Sequence, residues 1–206
     1  LLQYLLMVAV SFVLGFALTY MFGYEDEVEE AAGAVTEAET DRLAEEAVTG
    51  AVVTPSEGVI QTPIVGDVVA LSNVNDPVFS SGAMGQGIAV KPSEDVVYAP
   101  ADAEVTIVFP TGHAYGLRTA NGAEILIHVG IDTVSMNGEG FNHKVAQGDK
   151  VKAGDVLGTF DSAKIAAAGL DNTTMVIVTN TADFASVNPV ASGSVAKGDA
   201  IIEVKA

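Results

Sequence analysis

A dipeptide, Asn121-Gly122, set between two runs of alternating residues, limits the folds open to this chain more than any other part of it. Asn-Gly is the strongest short-range signal for a β-hairpin, because a type I′ turn needs positive φ at both central residues. The surrounding stretch, Phe109 to Thr133, reads FPTGHAYGLRTANGAEILIHVGIDT. A two-residue loop sets Ala120 against Ala123, Tyr115 against His128 and His113 against Gly130. Alternate residues of a strand share a face, so His113, Tyr115, His128 and Gly130 are predicted to point the same way. His113 and His128 become diagonal neighbours, with Cβ atoms roughly 7 Å apart or less. Gly130 leaves space open opposite His113.

His128 interrupts an apolar run, Ile125-Leu126-Ile127-His128-Val129, where a strand would ordinarily carry another aliphatic side chain. One histidine in that setting is first read as a core residue satisfied by hydrogen bonds. Two side by side favour chemistry, as metal ligands, as acid and base, or as a nucleophile with its helper.

The length of 206 residues allows one folded domain plus extra segments. The absence of cysteine excludes disulfides, thiolate catalysis and cysteine-based zinc sites. A net charge of −18 argues against nucleic acid as a partner, since that requires a basic footprint. A basic protein partner suits the charge, although acidity also serves solubility alone.

Leu1 to Tyr24 carries no charged residue. It is long enough to cross a bilayer, which takes about 20 apolar residues, and Tyr20 and Tyr24 suit an interfacial aromatic belt. We read residues 1–24 as a transmembrane helix. A signal peptide would want a basic start and a cleavage motif, and neither is present. Glu25 to Glu57 holds eleven acidic residues against one basic, Arg42, a net of −10. This reads as a solvated acidic linker, residues 25–57. The folded domain is then 58–206.

In that domain short Val- and Ile-rich runs are cut by Gly, Pro, Asn and Asp. The strand candidates are Ile64–Leu71, Gly87–Lys91, Glu104–Phe109, Tyr115–Thr119, Ala123–Val129, Asp155–Phe160, Met175–Thr179 and Ala200–Val204. Such a pattern predicts an all-β, antiparallel sandwich or barrel. One helix is expected over Ala163–Ala168, capped by Asp161 or Ser162 and closed by Gly169. A second short one is expected after Asp132 or Asp183. The frame V-A-x-G-D occurs twice, at Val145–Asp149 and Val195–Asp199, and Gly154-Asp155 and Gly66-Asp67 repeat its end. Gly-Asp turns with an Asx-type hydrogen bond account for it, and the repetition hints at duplicated hairpin units.

These residues resemble a known family. Thr62-Pro63-Ile64-Val65-Gly66, Asp76–Phe79, Gly85–Pro92, Ala99–Asp102, Thr111–Ala114, Ile127–Thr133, Gly138–Phe141 and Gly148-Asp149 to Phe160-Asp161 are similar, in order and spacing, to the glucose-family enzyme IIA domain of the bacterial phosphoenolpyruvate:sugar phosphotransferase system. The helix ending Thr19-Tyr20-Met21-Phe22-Gly23-Tyr24-Glu25-Asp26 resembles the last helix of the sugar-translocating IIC domain of β-glucoside, sucrose and trehalose type permeases. The resemblance implies the duplicated hybrid-motif fold and a place at the cell membrane, with the IIA domain in the cytoplasm.

It further implies a phosphoryl relay. His128 matches the phosphorylated histidine, which accepts from the phosphohistidine of HPr and passes to a cysteine of the IIB domain. His113 matches the supporting histidine, and Thr111 the residue that orients it. Asp132 and Gly130 match the segment holding the His128 ring. Val78, Phe79, Phe109, Leu126 and Val134 match the apolar docking patch. Phe79, beside the turn Asp76-Pro77, is expected to be exposed, whereas Leu126 divides evenly between core and rim. Glu124, Asp132 and Glu139 are candidate complements to a basic HPr surface, and His143 is expected on the surface. No cofactor is required, and the group carried is a phosphoryl on His128.

The residues themselves agree with a relay. An imidazole of ordinary pKa, about 6.5, offers a neutral nitrogen nucleophile at neutral pH. Phosphoryl transfer asks mainly for in-line positioning and charge stabilisation. No Walker-type loop points to a nucleotide. A zinc hydrolase is the rival, with His113, His128 and Asp132 as ligands, although an H-x-H element is absent. Zinc bridging His113 and His128 with a partner's carboxylate stays open. A biotinyl or lipoyl carrier would want a lysine at a hairpin tip beside methionine, and Lys91-Pro92 is a different context.

Overall fold

The computed structural model describes residues 54–206. The expected transmembrane helix, 1–24, lies outside the described residues, as does nearly all of the expected linker. Among the described residues no helix is long and apolar enough to cross a membrane.

Fourteen strands and two short helices follow one another in these residues. The strands are β1 (Gly58–Gln61), β2 (Gly66–Ala70), β3 (Gln86–Pro92), β4 (Val96–Tyr98), β5 (Ala103–Val108), β6 (Ala114–Thr119), β7 (Glu124–His128), β8 (Phe141–His143), β9 (Lys150–Val151), β10 (Val156–Phe160), β11 (Thr174–Val178), β12 (Ser186–Pro189), β13 (Ser194–Val195) and β14 (Ala200–Lys205). The helices are α1 (Pro77–Ser80) and α2 (Ser162–Ala167). One sheet has the order β13-β2-β3-β11-β7-β6-β5-β9, and two three-stranded sheets have the orders β1-β14-β12 and β4-β10-β8. Every pairing is antiparallel. The all-β expectation holds.

All eight candidate strands form. The six that were not anticipated, β1, β4, β8, β9, β12 and β13, have two to four residues each. Runs that short cannot display a period of two.

β11 explains the large sheet's layering. All five of its residues are buried, as expected for a strand covered on both faces. Val176 and Val178 belong to the main core with Tyr115, Leu117, Ile125 and Ile127. Met175 and Ile177 point the other way, into a smaller cluster with Val74, Phe79, Ala89 and Ile131. On that second face the ladder sets Val69, Ala89, Met175, His128 and Ala114 in one row. The next row holds Gly87, Ile177, Leu126, Gly116 and Ile107.

The β6–β7 hairpin differs from expectation by one residue. Ala114, and not Tyr115, stands opposite His128. The loop has three residues, Ala120-Asn121-Gly122: Thr119 N donates to Ala123 O at 2.9 Å and Gly122 N to Thr119 O at 3.0 Å. Asn121 is not among the positive-φ residues, while Gly122 has φ 86°. This is the arrangement of a type I turn followed by a left-handed glycine. Asn121 is otherwise engaged. Its amide donates to Ser56 O at 3.2 Å, and its carbonyl accepts from Ser56 N at 3.1 Å. A one-residue slip turns every side chain to the opposite face. Tyr115 accordingly lies in the main core, 1% exposed.

The repeated Gly-Asp frame is a repeated turn. Ala146 N donates to the Asp149 carboxylate, Ala196 N to that of Asp199, and Lys152 N to that of Asp155, each at 2.8 Å. Gly148, Gly154 and Gly198 supply φ values of 91°, 84° and 95°. Gly66-Asp67 is not a further copy, since both residues lie within β2. The helix α2 starts from Asp161, whose side chain accepts from Lys164 N at 3.0 Å. The anticipated second helix is a 3-10 turn over Thr133–Met136, with another over Thr181–Asp183.

Candidate active site

Two different elements deliver the histidines. His128 is the last residue of β7. His113 lies in the loop between β5 and β6, where Gly112 N donates to Phe109 O at 2.7 Å and Phe109 N to Ala114 O at 3.0 Å. Gly112 takes φ 68° to make that turn. The backbone of His113 accepts from Val129 N at 2.8 Å, which fixes the loop to the end of β7. The expected neighbour opposite His113, Gly130, is thereby corrected to Val129. The two rings still meet, with centroids 4.9 Å apart and planes at 78°.

Each imidazole is held by Nδ1. His128 Nδ1 lies 2.9 Å from Gly130 O. A carbonyl only accepts, so this nitrogen carries the proton, and Nε2 of neutral His128 keeps a free lone pair. His113 Nδ1 lies 2.5 Å from Thr111 Oγ1. When the threonine hydroxyl donates there, Nε2 of His113 is N–H. The two rings then present a lone pair and a donor. Neither Nε2 has a protein hydrogen-bond partner among the described residues, and no buried side-chain nitrogen or oxygen there lacks one. Both Nε2 atoms therefore reach solvent.

Burial keeps both rings neutral. It lowers His113 from 6.5 to about 4, with the neighbouring His128 adding to the effect. It also lowers His128, against the opposing pull of the Gly130 carbonyl, Asp76 and Asp132.

Gly130 is corrected in its role as well. It opens no space across from His113. It adopts φ 76°, and a Cβ there would lie 2.4 Å from Thr133 Cγ2 and 2.9 Å from Asp171 O. Only glycine turns the carbonyl back to Nδ1 in so tight a corner. Asp132, two residues on, has φ 58° and is exposed.

The expected docking residues differ in exposure. Val78 is 54% exposed, while Phe109, Leu126 and Val134 are half-buried. Phe79 is a correction. It is 8% exposed and its ring stands 5.0 Å from that of His128, inside the smaller cluster. Asp76-Pro77 does not make a bare turn but starts α1, which rotates Phe79 inward and Val78 outward. The Phe109 ring stands 5.5 Å from His113. Sequence reasoning missed Ile107, 41% exposed at the end of the Leu126 row, where Gly116 lets it lie across the sheet. A β-bulge between Val105 and Ile107 turns it outward, and no residue type announces that bulge.

Of the three acidic complements, Glu124 pairs with Arg118 at 3.2 Å and Glu139 with Lys164 at 3.3 Å. Asp132 acts on His128, together with Asp76. His143 is exposed and borders Gly112, with its Nδ1 3.6 Å from where a Cβ would stand. Among the described residues no three His, Cys, Asp or Glu side chains converge as metal ligands. The zinc hydrolase reading thus lacks its ligand set, and Lys91, inside β3, is no hairpin tip.

Residues 58–184 match the family model of the phosphoenolpyruvate-dependent sugar phosphotransferase system, EIIA 1. The chain belongs to this family. The glucose permease IIA from Mycoplasma capricolum superposes with a TM-score of 0.68 at 34% identity, covering 72% of this chain and 96% of that one. The glucose-specific EIIA component of Oceanobacillus iheyensis is 43% identical over 145 residues, 70% of this chain and 88% of its own length. The β-glucoside-specific EIIBCA component of Dickeya chrysanthemi is 49% identical over 134 residues, 65% of this chain. That of Bacillus subtilis is 42% identical over 181 residues, 88% of this chain. The IIA chain spans 21% and 27% of the length of these two EIIBCA relatives. It is a phosphotransferase-system component with an antiparallel β fold, and the family carries a phosphoryl-carrier role.

Proposed function

We propose that this IIA domain carries a phosphoryl group on Nε2 of His128 within a sugar permease. The observation that supports it best is the opposite anchoring of the two rings: a carbonyl on Nδ1 of His128 and a hydroxyl on Nδ1 of His113. Nε2 of His128 attacks the phosphorus of phospho-HPr, forming one P–N bond as the donor's P–N bond breaks. The N–H of His113 steadies the oxygens as charge moves. A IIB thiolate then attacks the same phosphorus, and the electron pair returns to Nε2. Thr111 and Gly130 orient the rings, Asp132 and Asp76 bias His128 electrostatically, and the exposed apolar face takes HPr and IIB in turn.

The match to the Bacillus EIIBCA component covers 181 residues, more than residues 54–206 contain, so it runs into the acidic segment; we read 25–57 as a linker and 1–24 as the end of a membrane domain from their composition. A tether of that kind raises the effective concentration of IIA near IIB. The permease would lie in the cell membrane with IIA in the cytoplasm.

The test is to incubate the full chain with phosphoenolpyruvate, enzyme I and HPr and record intact mass. One acid-labile phosphoryl group is expected on the native chain and none on His128→Ala. His113→Ala is expected to take up the group and pass it on slowly. Retention of the group by His128→Ala refutes the assignment.

A further inference from the structure

The helix α1 contains four residues, too few to stand on their own hydrogen bonds. What holds it is Asp76. One carboxylate oxygen accepts from Val78 N at 2.7 Å and Phe79 N at 3.1 Å. The Asp76 backbone carbonyl accepts from Ser80 N at 2.9 Å and from Ser80 Oγ at 2.6 Å. Pro77 at the first helical position fixes φ and has no donor to satisfy. The only buried residue of this turn is Phe79, and its ring lies against the His128 imidazole at 5.0 Å, tilted 56°. The His113 ring stands 4.9 Å from the same imidazole. The imidazole is therefore walled by one ring from a loop pinned to β7 and by one ring from a turn that depends on its cap.

We propose that Asp76 is a positioning residue for His128, acting through Phe79: its carboxylate caps the single turn that seats the Phe79 ring on the imidazole. Seating the Phe79 ring needs an oxygen acceptor at residue 76, whereas the negative charge acts on His128 separately. The consequence for transfer rests on the reading of His128 as the phosphoryl acceptor, whereas the placement of the ring does not.

The variants are Asp76→Ala, Asp76→Asn, Phe79→Leu and the double variant Asp76→Ala/Phe79→Leu, all in the full chain. The first readout is NMR of the His128 ring protons without phosphorylation, since an aromatic ring at this distance imprints its ring current on them. Asp76→Ala and Phe79→Leu are expected to move those resonances in the same direction, and the double variant to add little beyond Phe79→Leu. Asp76→Asn, which keeps an oxygen acceptor, is expected to retain the native shifts. The second readout is the rate of phosphoryl transfer from phospho-HPr. Asp76→Ala is expected to be slower than Asp76→Asn by about fivefold, the scale of a lost cap, since both variants lose the charge and only Asp76→Asn keeps the acceptor. Native His128 shifts in Asp76→Ala, additive shifts in the double variant, or an Asp76→Asn rate as slow as Asp76→Ala would each overturn the proposal. A native chain that takes no phosphoryl group would refute the carrier reading instead, and the shift comparison would still decide the placement.

Discussion

Acidification should destabilise this domain through His113, whose buried ring resists protonation while the chain is folded. His113 is 3% exposed, and burial together with His128 lowers its pKa from 6.5 to about 4. The unfolded chain therefore binds a proton near 6.5 that the folded chain refuses until about 4. A histidine depressed in this way contributes stability that is complete above the unfolded value and is lost as pH falls towards the folded one. With about 1.4 kcal/mol for each pH unit in that window, the loss attributable to His113 between pH 7 and pH 5 is about 2 kcal/mol. The assay is urea unfolding at a series of pH values for the native chain and for His113→Gln, each fitted at constant m. Carboxylates titrate in both proteins and leave the difference curve to His113. The native chain should lose about 2 kcal/mol more than the variant across that range. Parallel curves, or an NMR titration midpoint for His113 near its ordinary value, would refute the reasoning. The same measurement bears on chemistry, because the Thr111 hydroxyl can donate to Nδ1 only while that nitrogen is unprotonated.

Gly130→Ala places a Cβ 2.4 Å from Thr133 Cγ2 at φ 76°, so it should cost more than about 1 kcal/mol in urea unfolding and slow phosphoryl uptake by moving the carbonyl from His128. Thr111→Val removes the hydroxyl at 2.5 Å from His113 Nδ1; stopped-flow transfer to IIB should slow while uptake from phospho-HPr changes less. Ile107→Glu alters a side chain 41% exposed, and should leave stability within about 0.5 kcal/mol while raising KM for phospho-HPr at unchanged kcat.

The eight longer strands were legible because each is five residues or longer, and all but β6 carry Val or Ile. The Gly-Asp turns were legible because glycine and aspartate perform the same local task wherever they occur. Phe79 was misread for a definite reason. Asp-Pro suits a turn and the first turn of a helix equally well, and only the burial of Phe79 itself separates the two. The contribution of Asp76 was hidden for the same reason, since a cap shows itself only when the helix beyond it is known.

The convergence of the two histidines is the instructive case, because the expected contact is present and its expected cause is not. With Ala114 opposite His128, strict alternation would send His113 to the Tyr115 side, into the main core. It escapes because it is not in a strand. The turn at Gly112 interrupts the alternation, and the bonds Val129 N to His113 O and Thr111 Oγ1 to Nδ1 then set backbone and ring separately. A strand residue would have had its ring direction dictated by the sheet. A loop residue with two independent anchors can face a partner on the neighbouring strand while its own strand continues with the opposite phase. This division of labour lets Tyr115 complete the core only two residues from a ring whose Nε2 must meet solvent. Thr111-Gly112-His113 therefore sets the direction of the His113 ring, and the sheet contributes the fixed position of His128 against which that ring is aimed.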